Sequence, residues 1–76
     1  MEFRFRLREI RKGKGLTQVE VANSVNIKER QYQNLESGVY RPSFDTIVAL
    51  ADFFEVSVDY LIGRIDEPHG LFKPKD

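Results

Sequence analysis

The sequence predicts an all-α fold, a compact domain of five short helices. Three observations carry that expectation. Apolar residues recur at helical spacing in residues 3–12 and 44–55. The capping residues Thr17, Ser43 and Ser57 precede polar–apolar segments, and Gly13, Gly15, Gly38 and Gly63 close them. No stretch alternates apolar and polar residues as a half-buried strand does. With 76 residues there is material for one domain, whose core has to be nearly continuous.

The first helix is expected from about Phe3 to Lys12, where Phe3, Leu7 and Ile10 share one face. Phe5 lies off that face and is expected at the surface. Thr17-Gln18-Val19-Glu20 reads as a capping box, in which the Thr17 hydroxyl and the Glu20 carboxylate each accept from the other residue's backbone N–H. The second helix runs to about Ser24 with Val21, Ala22 and Val25 inward. Asn26 follows, a residue that tolerates the left-handed conformation of a tight turn.

A third helix is expected from about Lys28 to Leu35 or Glu36. Its only apolar residues are Tyr32 and Leu35, with Ile27 just before. Lys28, Glu29, Arg30, Gln31, Gln33 and Asn34 leave most of its surface polar, a narrower apolar stripe than ordinary surface helices carry. Two short helices around an Asn-containing turn read as helix-turn-helix. Ser43 caps a fourth helix with Phe44, Ile47, Leu50, Ala51 and Phe54 on its apolar stripe. Ser57 caps a fifth, Val58 to Ile62. Residues 1–63 form the expected domain. Residues 64–76, with two prolines and a glycine, are an expected extended or loosely ordered tail.

Composition narrows the function classes. There is no cysteine, hence no disulfide or thiolate metal site. His69 stands alone in the tail, so neither catalysis nor metal binding is expected of it. Asp52, Glu55, Asp59, Asp66 and Glu67 read as a solvated acidic face. Gly13-Lys14-Gly15 lacks the phosphate-loop pattern. No signal peptide or membrane span is apparent, and the expected location is cytoplasmic. No enzyme activity, cofactor, metal or small-molecule substrate is expected.

The net charge is zero, low for a nucleic-acid binder, yet it is unevenly spread. Residues 1–42 hold nine Lys/Arg against five Asp/Glu, and residues 43–76 hold three against seven. One end is suited to phosphates and the other to water or a partner. The apolar set Val58, Leu61, Ile62, Ile65, Leu71 and Phe72 is expected to pair two copies of the chain, or else to close the core of one.

An ordered set of fragments resembles the XRE-like, phage-repressor (lambda repressor-like) helix-turn-helix family. The fragments are Leu7-x-x-Ile10-Arg11, Gly15-Leu16-Thr17-Gln18, Val21-Ala22, Ile27, Tyr32-Gln33, Leu35-Glu36-Ser37-Gly38, Arg41-Pro42-Ser43, and the run from Leu50 through Asp52, Phe53, Val56 and Tyr60 to Gly63. They cover roughly residues 3–63. Departures are Asn26 in place of a turn glycine, Lys28 in place of a small capping residue, and Val19 in place of a polar one.

The resemblance implies a sequence-specific regulator, a repressor in its favoured mode, that binds double-stranded DNA as a homodimer. The third helix would read the major groove. Lys28, Glu29, Arg30 and Gln33 match groove-facing positions, and Asn34 is a further candidate. Arg30 suits guanine, Gln33 adenine and Glu29 the cytosine amino group. Gln18 matches a residue that grips phosphate and braces the reading helix. Thr17, Ser37, Tyr40, Arg41 and Ser43 are the other phosphate candidates. Arg11 and Glu36 match a structural ion pair. Phe44, Phe53, Phe54 and Tyr60 are expected in the core or an interface, rather than as stacking platforms for bases. The alternative is a protein-interaction module or antitoxin built on the same fold.

Overall fold

The computed structural model describes residues 2–39 and 41–69. Among them are five helices and no strand: α1 (Phe3–Gly13), α2 (Gln18–Ser24), α3 (Glu29–Ser37), α4 (Phe44–Phe54) and α5 (Val58–Leu61).

Each boundary has a local cause. The Thr17–Glu20 capping box opens α2, with the Thr17 Oγ1 accepting from the Glu20 N–H at 3.1 Å and Glu20 Oε1 accepting from the Thr17 N–H at 2.9 Å. The hydroxyls of Ser43 and Ser57 accept from the Thr46 and Tyr60 N–H groups and open α4 and α5. At the start of α3, Lys28 caps with backbone only. Asn26 takes a φ of 60° between α2 and α3, the turn expected of it. Gly38 closes α3 at φ 78°, a left-handed conformation that favours glycine.

Leu7, Ile10, Val21, Ala22, Tyr32, Leu35, Leu50, Ala51, Phe54 and Leu61 form one core drawn from all five helices. α2 and α3 pack on each other, α1 lies against α3, and α5 closes against α4 and α1. No buried side-chain nitrogen or oxygen among the described residues lacks a partner.

The structure refines or departs from the expectations in four places. Phe44 is 73 % exposed and not in the core, because periodicity fixes a direction around the α4 axis but not how far along it the packing reaches. Phe53 is also partly exposed, its ring tilted against buried Phe54 at 5.2 Å between centroids. Leu61 is fully buried within the monomer, where it closes the core, the second of the two roles expected of the apolar set.

The fourth departure concerns the tail. Residues 64–69 fold back onto the domain. The Ser57 N–H donates to the Pro68 carbonyl at 2.8 Å, and the Arg64 N–H to the Asp59 carbonyl at 2.8 Å. Arg6, only 3 % exposed, donates to Asp66 Oδ1 at 2.9 Å and to the Ile65 carbonyl at 3.3 Å, with its guanidinium 3.9 Å from the centre of the Tyr60 ring. Asp66, still almost fully exposed as expected, and Asp59, which pairs with Arg64 at 3.7 Å, are in addition ion-pair partners. A sequence signal for the burial of Arg6, though not for its partner, exists: Arg6 lies three residues after Phe3 and four before Ile10, inside the buried stripe of α1. Leu71 and Phe72 lie outside the described residues.

Candidate nucleic-acid interface

The two halves of α3 are built differently. At its C-terminal end, the Glu36 carboxylate is buried and receives four hydrogen bonds. Arg11 donates from Nε to Oε2 at 2.6 Å and from Nη2 to Oε1 at 3.1 Å. The Tyr32 hydroxyl donates to Oε2 at 2.6 Å, and the Gln18 amide donates to Oε1 at 3.2 Å. Arg8 Nε stands 3.6 Å from the same carboxylate. Arg11 also donates from Nη1 to the Leu16 carbonyl at 2.9 Å, tying α1, the α2 entry and α3 together.

Burial alone would raise the Glu36 pKa, but the hydrogen bonds from Arg11, Tyr32 and Gln18 outweigh it and hold the carboxyl below its usual range. Burial and the bond to Glu36 push the Tyr32 phenol well above its ordinary value, so it stays a donor. The bond to Glu36 raises the Arg11 guanidinium further against its desolvation. Cations also flank the negative end of the α3 dipole: Arg4 and Arg8 donate to the Ser37 and Glu36 carbonyls at 3.4 Å each. Tyr32 was legible as an apolar anchor. Its hydroxyl bond was findable from spacing, since a buried phenol needs an acceptor and Glu36 lies one turn on.

Toward the N-terminus of α3 the surface is open. Lys28, Glu29, Arg30 and Gln33 are exposed and Asn34 is half-buried. Among the described residues, Lys28 and Arg30 enter no ion pair, whereas Arg4, Arg6, Arg8, Arg11 and Arg64 all do. The Gln33 amide donates to Glu29 Oε2 at 3.1 Å.

The phosphate candidates are in mixed states. Gln18 is committed through its amide N–H to Glu36, leaving its carbonyl oxygen and second N–H for other partners. The hydroxyls of Thr17 and Ser43 serve as helix caps, and that of Ser37 donates to the Asn34 carbonyl at 3.2 Å. Arg41 is exposed and lines a shallow groove with Arg4 and Gly38. Tyr40 lies outside the described residues. Val19 is 42 % exposed on α2. Among the described residues, no group of His, Cys, Asp or Glu is placed to hold a metal ion, and no helix is long and apolar enough to cross a membrane.

A short helix held from one end, with an outward-facing polar face at the other and a tight αL turn before it, defines a helix-turn-helix domain. The family model described as "Helix-turn-helix" matches residues 7–61, and the chain belongs to this XRE-like family. Relatives include the HTH-type transcriptional regulator YobD of Bacillus subtilis (strain 168), 38% identical over 63 residues, which span 83% of this chain and 56% of that protein. The cryptic phage CTXphi transcriptional repressor RstR of Vibrio cholerae is 36% identical over 64 residues, 84% of this chain and 57% of that one. A solved transcriptional regulator from Listeria innocua superposes with a TM-score of 0.78 at 29% identity, over 87% of this chain and 62% of that one. The chain thus spans about half the length of the curated relatives it matches.

Proposed function

We propose that the chain is the DNA-reading domain of a transcriptional regulator, a repressor in its favoured mode, that inserts the N-terminal half of α3 into the major groove. The observation that carries this reading is the free polar face of Lys28, Glu29, Arg30, Gln33 and Asn34 on a helix anchored elsewhere by Tyr32, Leu35 and Glu36. Arg30 would donate to guanine O6 and N7, and Asn34 would meet a base or a phosphate. Gln18, Arg41 and the backbone N–H groups opening α4 at Ser43 would grip phosphates on either side. Thr17 and Ser37 would contribute through the backbone they position, since their hydroxyls are engaged.

The relatives named as transcriptional regulators and repressors support the same reading. A homodimer on a two-fold site would set two copies of α3 about 34 Å apart, one turn of duplex. A DNA regulator works where the chromosome is, which agrees with a cytoplasmic location.

Titration of a fluorescent random-sequence duplex at rising salt tests the proposal. Phosphate binding gives a log–log slope of roughly −0.9 for each contact made. A slope near zero, or no binding to duplex at all beside tight binding to a protein, would favour the interaction-module alternative.

A further inference from the structure

Resting on the reading above, we infer that Glu29 and Gln33 act as one recognition unit, in which Glu29 sets the presentation of Gln33 and the two read neighbouring base pairs together. The observation is the 3.1 Å bond from the Gln33 Nε2 to Glu29 Oε2, between two exposed residues one turn apart on the free face of α3.

A carboxylate only accepts, so the amide group facing it has to be the NH2 and not the carbonyl. The bond therefore fixes which way round Gln33 stands. One N–H is spent on Glu29, and the second N–H and Oε1 remain. That residual pair, one donor beside one acceptor, matches the N7 acceptor and N6 donor of adenine in the major groove. The second oxygen of Glu29 has no partner among the described residues and suits the cytosine N4 donor. Side chains four apart on a helix stand about 5–6 Å apart at Cβ, but the bond draws these two head groups to 3.1 Å, close to the roughly 3.4 Å step between base pairs. The two readouts thus fall on neighbouring pairs.

The charge arrangement points the same way. Glu29 sits between Lys28 and Arg30 in sequence, yet among the described residues it pairs with neither. Taking its bond from a neutral amide, Glu29 leaves both cations free for phosphate and guanine. A solvated surface pair of this kind would stabilise the helix only slightly and do nothing more. The difference is therefore visible only in base preference.

The test measures binding of wild type, Gln33→Ala, Glu29→Ala, Glu29→Gln and the Glu29→Ala/Gln33→Ala double variant. Each is titrated against a preferred duplex and the same duplex with each base pair changed singly. Glutamine at position 29 keeps a carbonyl to accept from Gln33, but its own NH2 opposes the cytosine donor. The expected result is that Glu29→Ala lowers discrimination about tenfold at two adjacent pairs, the one read by Gln33 included. Glu29→Gln would lower it at the other pair alone. In the Gln33→Ala background, removing Glu29 would cost nothing more at the adenine pair. Effects of Glu29→Ala confined to one base pair, or additive with Gln33→Ala throughout, would overturn the unit while leaving the DNA reading intact. A wild-type chain that binds duplex with no preferred sequence would overturn both.

Discussion

The two ends of α3 share nine residues and little else. At the C-terminal end every polar group of Glu36 and Tyr32 is met inside the protein. At the N-terminal end, the Lys28 and Arg30 side chains form no ion pair with the described residues, and the helix starts without a side-chain cap. The difference teaches how a small domain reconciles stability with recognition. Groups whose loss would unfold it are collected at one end, so the other can leave its donors and acceptors for a partner. Substitutions at the two ends should then separate cleanly, one set acting on folding and the other on binding.

The largest effect is expected at Glu36. Glu36→Ala strands Arg11 and the Tyr32 hydroxyl, and stability measured by urea unfolding should fall by about 3–5 kcal/mol. The comparison would fail if the variant melted normally but lost DNA binding.

Acid should act on the same end. The folded-state pKa of Glu36 is depressed, so its contribution is complete above the unfolded carboxyl value of about 4.3 and is lost as pH falls through the lower folded value. Unfolding followed between neutral pH and pH 3 should therefore show stability declining in acid, with a shallower decline in Glu36→Gln.

Ending the chain at residue 63 removes Asp66 and the Ile65 and Pro68 carbonyls from Arg6 and the Ser57 N–H. The buried Arg6 guanidinium then loses Asp66 and the Ile65 carbonyl as acceptors, and the melting midpoint should fall, at a cost of about 1–3 kcal/mol. An unchanged midpoint would mean that the folded-back segment is decoration.

Arg30→Ala should leave thermal stability unchanged and weaken binding to a preferred duplex by about 1–3 kcal/mol. Smallest is Lys28→Ser, which supplies the missing cap of α3 and should raise stability by about 1 kcal/mol in a thermal melt. A rise there with unchanged DNA affinity would show that Lys28 contributes nothing to the interface.

Much of this architecture was legible in the residues. Thr17, Ser43 and Ser57 cap where expected because caps are local chemistry, set by a hydroxyl and an N–H three residues on. The polar surface of α3 was legible because only Tyr32 and Leu35 interrupt it. What was not legible depended on distance in the chain. Arg6 finds Asp66 sixty residues away, and no periodicity announces that partner. Phe44 satisfied the α4 pattern and still faces solvent, since a pattern says nothing about where the neighbouring helices end. The Glu29–Gln33 bond follows from simple i, i+4 spacing, but the same residue types also match base edges outside the chain, and spacing alone does not say which partner they take.

The most direct test of the central claim, that the N-terminal half of α3 reads base edges, is selection of bound sequences from a random duplex pool by wild type and by Arg30→Ala. The predicted result is a two-fold related consensus from the wild type, and from the variant the same consensus with preference lost at one pair in each half. An identical consensus from both, or none from the wild type, would contradict it.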